Sequence, residues 1–156
     1  MKLISLGLAV VVIVLDHITK AAVLDTFANR VPFIEVTSFF NLVLAHNRGV
    51  SFGMFSDGSA LNVIVLSLLA TAIVALLLAW LWRAKSRLVV YGIGLVVGGA
   101  IGNVIDRVIR GAVVDFLDVH LGDWHWPAFN VADSAICIGV AFLVLDGLRG
   151  KRDALN

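Results

Sequence analysis

The sequence predicts a mainly α-helical membrane protein of four transmembrane helices, on three observations. Of its 156 residues 60% are hydrophobic and only 15% are charged, with a mean hydropathy of +1.00. Soluble domains are nearer half apolar and a quarter charged. Residues 60–82 form an uncharged run of 23 residues. As a helix it would run about 34 Å, enough to cross a hydrocarbon core of about 30 Å. Finally, Lys2, the Arg83/Lys85/Arg87 turn and the Arg149/Lys151/Arg152 tail hold seven of the twelve Lys and Arg. Four spans put all three groups on one side, which the positive-inside rule makes cytoplasmic.

Each span has its own mark. The first, about residues 2–24, opens on Lys2 and an apolar run like that of a secretory signal peptide. No small-x-small site closes the run, and Asp16, His17 and Lys20 follow, so an uncleaved span is expected. The second, 60–82, ends on Trp80 and Trp82, an interfacial aromatic belt before a basic stop. The third, 88–105, carries Gly94, Gly98 and Gly102 at four-residue spacing, a small-residue face for close helix packing. No phosphate-binding glycine pattern is present there. The fourth, 126–145, contains Asp133. Residues 25–59 and 106–125 then form two outer segments, and the chain reads as one membrane domain over 1–156. From Val31 to Phe55 apolar and polar residues alternate unevenly among glycines, which suits short strands and turns. Phe39, Phe40, Phe52, Met54 and Phe55 are expected to face lipid or anchor that segment.

Composition narrows the function. A net charge of +1 gives no reason to invoke nucleic acid. The single cysteine, Cys137, excludes an intrachain disulfide and a cysteine-rich metal site, and its apolar setting suits packing. Charges are expensive inside a bilayer, so polar residues at span ends are informative. Asp16 and Lys20 end the first span, Asn103, Asp106 and Arg107 the third, and Asn130 and Asp133 open the fourth. All fall toward the outer face. Asp16 and Lys20 are four apart and suited to pairing; Asn103, Asp106 and Arg107 share a helix face, as do Asn130 and Asp133. Tying helices together accounts for many of these groups without catalysis.

Asp115, in Val113-Val114-Asp115-Phe116, and Asp133, in Phe129-Asn130-Val131-Ala132-Asp133, differ from the rest because their neighbours are apolar. Two carboxylates brought together in such surroundings share a proton rather than both ionising. That state suits hydrolysis by acid–base chemistry, one group taking a proton from water while the other polarises a carbonyl, with neither metal nor cofactor. Asp118, His120, Asp123 and His125 offer metal-ligand chemistry, but an interfacial loop with Trp124 and Trp126 at headgroup level accounts for them better. Ser134 is a weaker candidate nucleophile. An ion-coupled carrier would need a polar trail to the cytoplasmic side, where the spans are apolar. A metal-dependent lipid-headgroup enzyme would draw on Asp106, Asp115 and Asp118.

Five strings in order resemble the lipoprotein signal peptidase (signal peptidase II) family almost end to end. They are Asp16-His17-Ile18-Thr19-Lys20; Asn47-Arg48-Gly49-Val50-Ser51-Phe52-Gly53; the run from Gly98 to Arg107; Val113-Val114-Asp115-Phe116; and Phe129 to Asp133. The resemblance implies four transmembrane helices with a small periplasmic β-sheet cradle and a short periplasmic helix. It implies an aspartyl endopeptidase of the bacterial inner membrane that cuts diacylglyceryl-modified prolipoproteins before the lipidated cysteine. Asp115 and Asp133 would be the catalytic pair, with Asp16, Asn47, Asn103, Arg107 and Asn130 supporting site or substrate. Lys20, Gly49 and Asp106, in the same strings, complete the candidate set. Membrane lipid and globomycin-type inhibitors are the other expected partners. His17 stands where glutamine is common and Ser51 where alanine is common, departures that touch substrate preference rather than the dyad.

Overall fold

The computed structural model describes residues 1–49 and 60–153. Its elements run α1 (Lys2–Thr26), β1 (Phe33–Thr37), β2 (Phe40–Asn47), α2 (Ala60–Arg83), α3 (Arg87–Arg110), β3 (Val113–Leu121), β4 (Trp124–His125) and α4 (Val131–Asp153). All four helices are long and apolar enough to cross a membrane, and the chain is a multi-pass membrane protein. Ser51, Phe52, Gly53, Met54 and Phe55 of the first outer segment lie outside the described residues.

The innermost helix is α3, which packs against α1, α2 and α4. Its glycines explain how. A Cβ added at Gly94 would meet the Ser5 carbonyl oxygen at 2.6 Å, and one at Gly98 the Ala9 carbonyl oxygen at 2.7 Å. At Gly102 it would meet Asp16 Oδ2 at 2.8 Å. The stripe expected from the sequence therefore seats α3 backbone to backbone on α1. A second set, Gly92 and Gly99, faces Gly139 and Ala132 of α4 in the same way. The opposite end of the bundle is filled by Ala9, Leu81, Val89, Val90, Ile93 and Val97. Outward-facing Leu68, Ile73, Leu76 and Trp82 of α2 stay exposed, as lipid-facing residues do.

The strands form one antiparallel sheet in the order β1-β2-β3-β4. Its apolar side, including Phe116, Leu42 and Leu44, packs on Val23 and Phe27 at the end of α1. Phe39, the first of the aromatics expected to face lipid, is exposed, and Phe40 is half-buried.

Two boundaries differ from hydropathy. The third helix continues to Arg110, where Gly111 (φ 70°) donates its N–H to the Arg107 carbonyl and turns the chain into β3. That left-handed cap favours glycine. The fourth helix begins at Val131 rather than at 126. Phe129 is apolar but not helical: its carbonyl accepts the Phe116 and Leu117 N–H groups, and its N–H donates to Leu117. The stretch before α4 is thereby stitched to β3.

Candidate active site

Strand β3 and the first turn of α4 carry the two aspartates. Pairing of β2 with β3 sets Ala45 opposite Asp115 and Asn47 opposite Val113. From there Asn47 Nδ2 donates to Asp115 Oδ2 at 3.0 Å. The other oxygen, Oδ1, accepts from Asn130 Nδ2 at 2.7 Å. Asp115 is only 2% exposed. Burial raises its carboxyl pKa from the ordinary 3.8 to about 6, Asp133 adding to the effect while Asn47, Asn130 and Lys20 oppose it.

Asn130, fully buried, caps α4: its Oδ1 accepts the Asp133 backbone N–H at 2.8 Å. This is the N-cap-to-N3 bond that satisfies an orphan donor of a first helical turn, and an acidic residue there also suits the helix dipole. Asp133 Oδ1 accepts Asn103 Nδ2 at 2.8 Å, and Asn103 Oδ1 accepts from Asn130 at 3.3 Å. Two asparagines thus join the aspartates into one chain, Asp115–Asn130–Asn103–Asp133. Both amides donate to carboxylates, and with Asn47 they hold both oxygens of Asp115 and Oδ1 of Asp133.

The remaining candidates gather around this chain. Asn47 Oδ1 accepts the Gly49 N–H at 3.1 Å, and the Gly49 carbonyl accepts from Arg107 at 3.3 Å. Arg107, at the end of α3, thereby steadies the turn that aims Asn47 at Asp115. Lys20 pairs with Asp16, as the four-residue spacing suggests, and also with Asp106. Asp106 pairs in addition with Arg110.

Asp133 lies on the wall of a cavity of about 400 Å³ whose other lining residues are Trp126, Pro127, Phe129, Ser134, Ile136 and Cys137. The wall is mainly apolar, and Asp133 is the acidic group on it. Sequence reasoning did not find this cavity, because Trp126–Phe129 read as the start of a helix rather than as an extended wall beside it. Ser134 donates its hydroxyl to the Asn130 carbonyl at 2.9 Å, a helix-terminus bond rather than a nucleophile–base pair.

Asp118, His120 and His125, considered for a metal, have other partners. Asp118 accepts from Asn41 Nδ2 at 2.8 Å and lies 2.9 Å from His125 Nδ1, while His120 stacks on His125. Burial raises the Asp118 carboxyl, but the hydrogen bonds from Asn41 and His125 outweigh it and leave the pKa below its ordinary value. Among the described residues no three His, Cys, Asp or Glu side chains are grouped to hold a metal ion. Asn41, buried and opposite Asp118 in the β2–β3 register, was not singled out in the sequence.

Known proteins share this arrangement of sequence and fold. The family described as signal peptidase (SPase) II matches residues 8–149. A lipoprotein signal peptidase of Ralstonia nicotianae is 48% identical over 149 residues, covering 94% of this chain and 85% of that protein. One from Burkholderia multivorans is 47% identical over 152 residues, covering 96% and 90%. A bacterial membrane enzyme solved by the in meso method at 2.3 Å superposes with a TM-score of 0.81 at 28% identity, over 96% of this chain and 90% of that one. A second, solved at 1.9 Å, gives 0.78 at 29% identity over 92% of each. The chain therefore belongs to the signal peptidase II family of aspartic peptidases.

Proposed function

We propose that the chain removes the signal peptide from diacylglyceryl-modified prolipoproteins, cutting just before the lipidated cysteine, with Asp115 and Asp133 as the catalytic pair. The observation that carries this reading is a pair of aspartates joined through two buried asparagines, one of the pair, Asp133, standing on the wall of an apolar cavity. One carboxylate takes a proton from water as the water attacks the scissile carbonyl. Its protonated partner donates to the carbonyl oxygen, giving a tetrahedral intermediate, and the proton then passes to the leaving nitrogen. Asn103, Asn130 and Asn47 hold the aspartate oxygens in place, Arg107 and Gly49 hold Asn47, and Asp16, Lys20 and Asp106 support the two backbone segments. No cofactor takes part in these steps.

The cavity suits the apolar part of a lipidated precursor, and membrane lipid is the medium through which that substrate arrives. The basic groups Lys2, Arg83, Lys85, Arg87 and Arg149 favour termini on the cytoplasmic side of a bacterial inner membrane. The aspartates then sit toward the outer face, where an exported precursor presents its cleavage site.

The deciding experiment is cleavage of a diacylated precursor peptide by the purified protein in detergent or proteoliposomes. Cleavage is expected to survive EDTA, to be blocked by globomycin, and to vanish in Asp115→Asn and in Asp133→Asn. Full activity in either aspartate variant would end the dyad reading.

A further inference from the structure

The buried ions beside the dyad have a geometry that simple helix tethering does not require. Asp106 Oδ2 accepts the backbone N–H of Val114 at 3.1 Å, the residue immediately before Asp115. Asp16 Oδ1 accepts the backbone N–H of Ala132 at 2.9 Å, the residue immediately before Asp133. Each aspartate is therefore preceded by a peptide N–H gripped by a buried carboxylate. Between those carboxylates stands one cation. Lys20 Nζ is 2.7 Å from Asp16 Oδ2 and 2.8 Å from Asp106 Oδ2. Its third contact is Asn103 Oδ1 at 3.2 Å, and Asn103 in turn holds Asp133. An ammonium has three N–H donors; here Asp16 and Asn103 accept two hydrogen bonds and Asp106 pairs with the charge, on a side chain only 1% exposed.

We propose that Lys20 is the positioning residue that sets the separation of Asp115 and Asp133, by drawing together the two carboxylates that grip the backbone ahead of each. The inference rests on Asp115 and Asp133 being the catalytic pair. Strand β3 and helix α4 are unlike elements, and a small shift of one against the other changes the gap between the aspartates. Lys20 enters from α1, the third element, and reaches both sides through Asp16 on its own helix and Asp106 on α3. A compact ammonium held at contact distance between two carboxylates suits that task better than an apolar contact, which resists separation but sets no distance. Net stability is a weak reason to bury such a cluster, because apolar replacement of buried ion groups is often neutral or stabilising. Asp16 and Asp106 are balanced by Lys20 and Arg110, so the cluster adds no uncompensated charge beside the site.

The test is steady-state cleavage of a diacylated precursor peptide by full-length protein, with rates expressed per mole of folded enzyme. The variants are Lys20→Met, Lys20→Arg and the charge-matched Lys20→Met/Asp106→Asn. Misplacing a reacting group by about 1 Å costs about 100-fold in rate, so Lys20→Met is expected to lower kcat about 100-fold with KM unchanged. Its acid limb should move to higher pH, because the Lys20 charge helps to hold the Asp115 carboxyl down against Asp133 and burial. Lys20→Arg keeps the charge but not the compact three-donor head, so it should restore the acid limb and leave kcat low. Should Lys20→Met fold poorly, the double variant and Lys20→Arg carry the same comparison. A folded Lys20 variant with wild-type kcat overturns the proposal. A purely structural role would lower the yield of folded protein while leaving kcat and the acid limb of the folded fraction where they were, and that result also overturns it. Failure of the functional reading looks different: wild-type protein that does not cleave, or an active Asp115→Asn.

Discussion

Replacing Asp115 by asparagine should make the protein more resistant to unfolding as the pH rises, at the same time as it removes activity. In the folded protein the Asp115 carboxyl titrates at about 6 instead of 3.8. The folded state therefore binds the proton more tightly than the unfolded chain does. That contribution favours the fold fully below about pH 4 and is lost as pH rises through about 6. At about 1.4 kcal/mol per pH unit, the interval from 3.8 to about 6 corresponds to about 3 kcal/mol. Asparagine does not titrate, so the variant loses none of this. Its own cost, set against the neutral carboxyl of pH 4.5, is one hydrogen bond from Asn47 or Asn130, about 0.5–1.5 kcal/mol, a constant offset because the effect of ionisation on those bonds is already contained in the raised pKa. The informative quantity is the change with pH. Between those values, from pH 4.5 (already above 3.8) to pH 8, Asp115→Asn should gain about 2 kcal/mol of this relative to wild type, read by reversible unfolding in mixed micelles. Because Asp115 and Asp133 interact, the figure belongs to the pair. A variant-minus-wild-type difference that stays flat from pH 4.5 to pH 8 would refute the reasoning, since it would mean that Asp115 is no harder to ionise in the fold than outside it.

Asn103→Ala removes the donor to Asp133 and one acceptor of Lys20. A lost hydrogen bond to a charged group is worth about 1.5–3 kcal/mol, so kcat should fall about 10- to 100-fold with the protein still folded, measured on the precursor peptide. Gly98→Ala puts a methyl 2.7 Å from the Ala9 carbonyl oxygen and 2.8 Å from Val12 Cβ. It should destabilise the bundle by about 1–3 kcal/mol, whereas Gly7→Ala, with nothing within 4 Å, should be neutral or mildly stabilising. Asn41→Ala deprives buried Asp118 of its amide partner. Faster amide exchange in β2 and β3 is expected, with the acid limb of the activity profile unmoved. Asn130→Asp keeps a good N-cap but turns a donor into a carboxylate against Asp115. Its acid limb should move to higher pH with little loss of helix stability.

What the sequence disclosed followed from local physics. Hydropathy located the helices because a membrane span must be long and uncharged, and the four-residue spacing of Asp16 and Lys20 gave their pairing. The glycine spacing of α3 gave its packing face. The second partner of Lys20 was hidden, because Asp106 lies on another helix and no period links them. The start of α4 was misplaced because hydropathy counts Trp126, Pro127 and Phe129 as span, whereas the Phe129 backbone belongs to the sheet edge. A better signal was present: Asn130 three residues before an acid is an N-cap pattern. The β2–β3 register that joins Asn47 to Asp115 could not be read, since strand pairing over that distance is set by the whole sheet.

The glycine faces of α3 have a consequence for how this enzyme tolerates change. Side chains that separate helices can be repacked, so the spacing they set drifts with substitution. Where backbone meets backbone on two sides, the spacing is the thickness of the polypeptide itself. Helices α1 and α4, which bring Asp16 and Asp133 to the site, are gauged across α3 in this way. Sequence drift should accordingly be cheap on the lipid-facing side of α2 and nearly forbidden at the glycines of α3 that touch α1 and α4, and the same gauge should hold whether the surrounding bilayer is thick or thin.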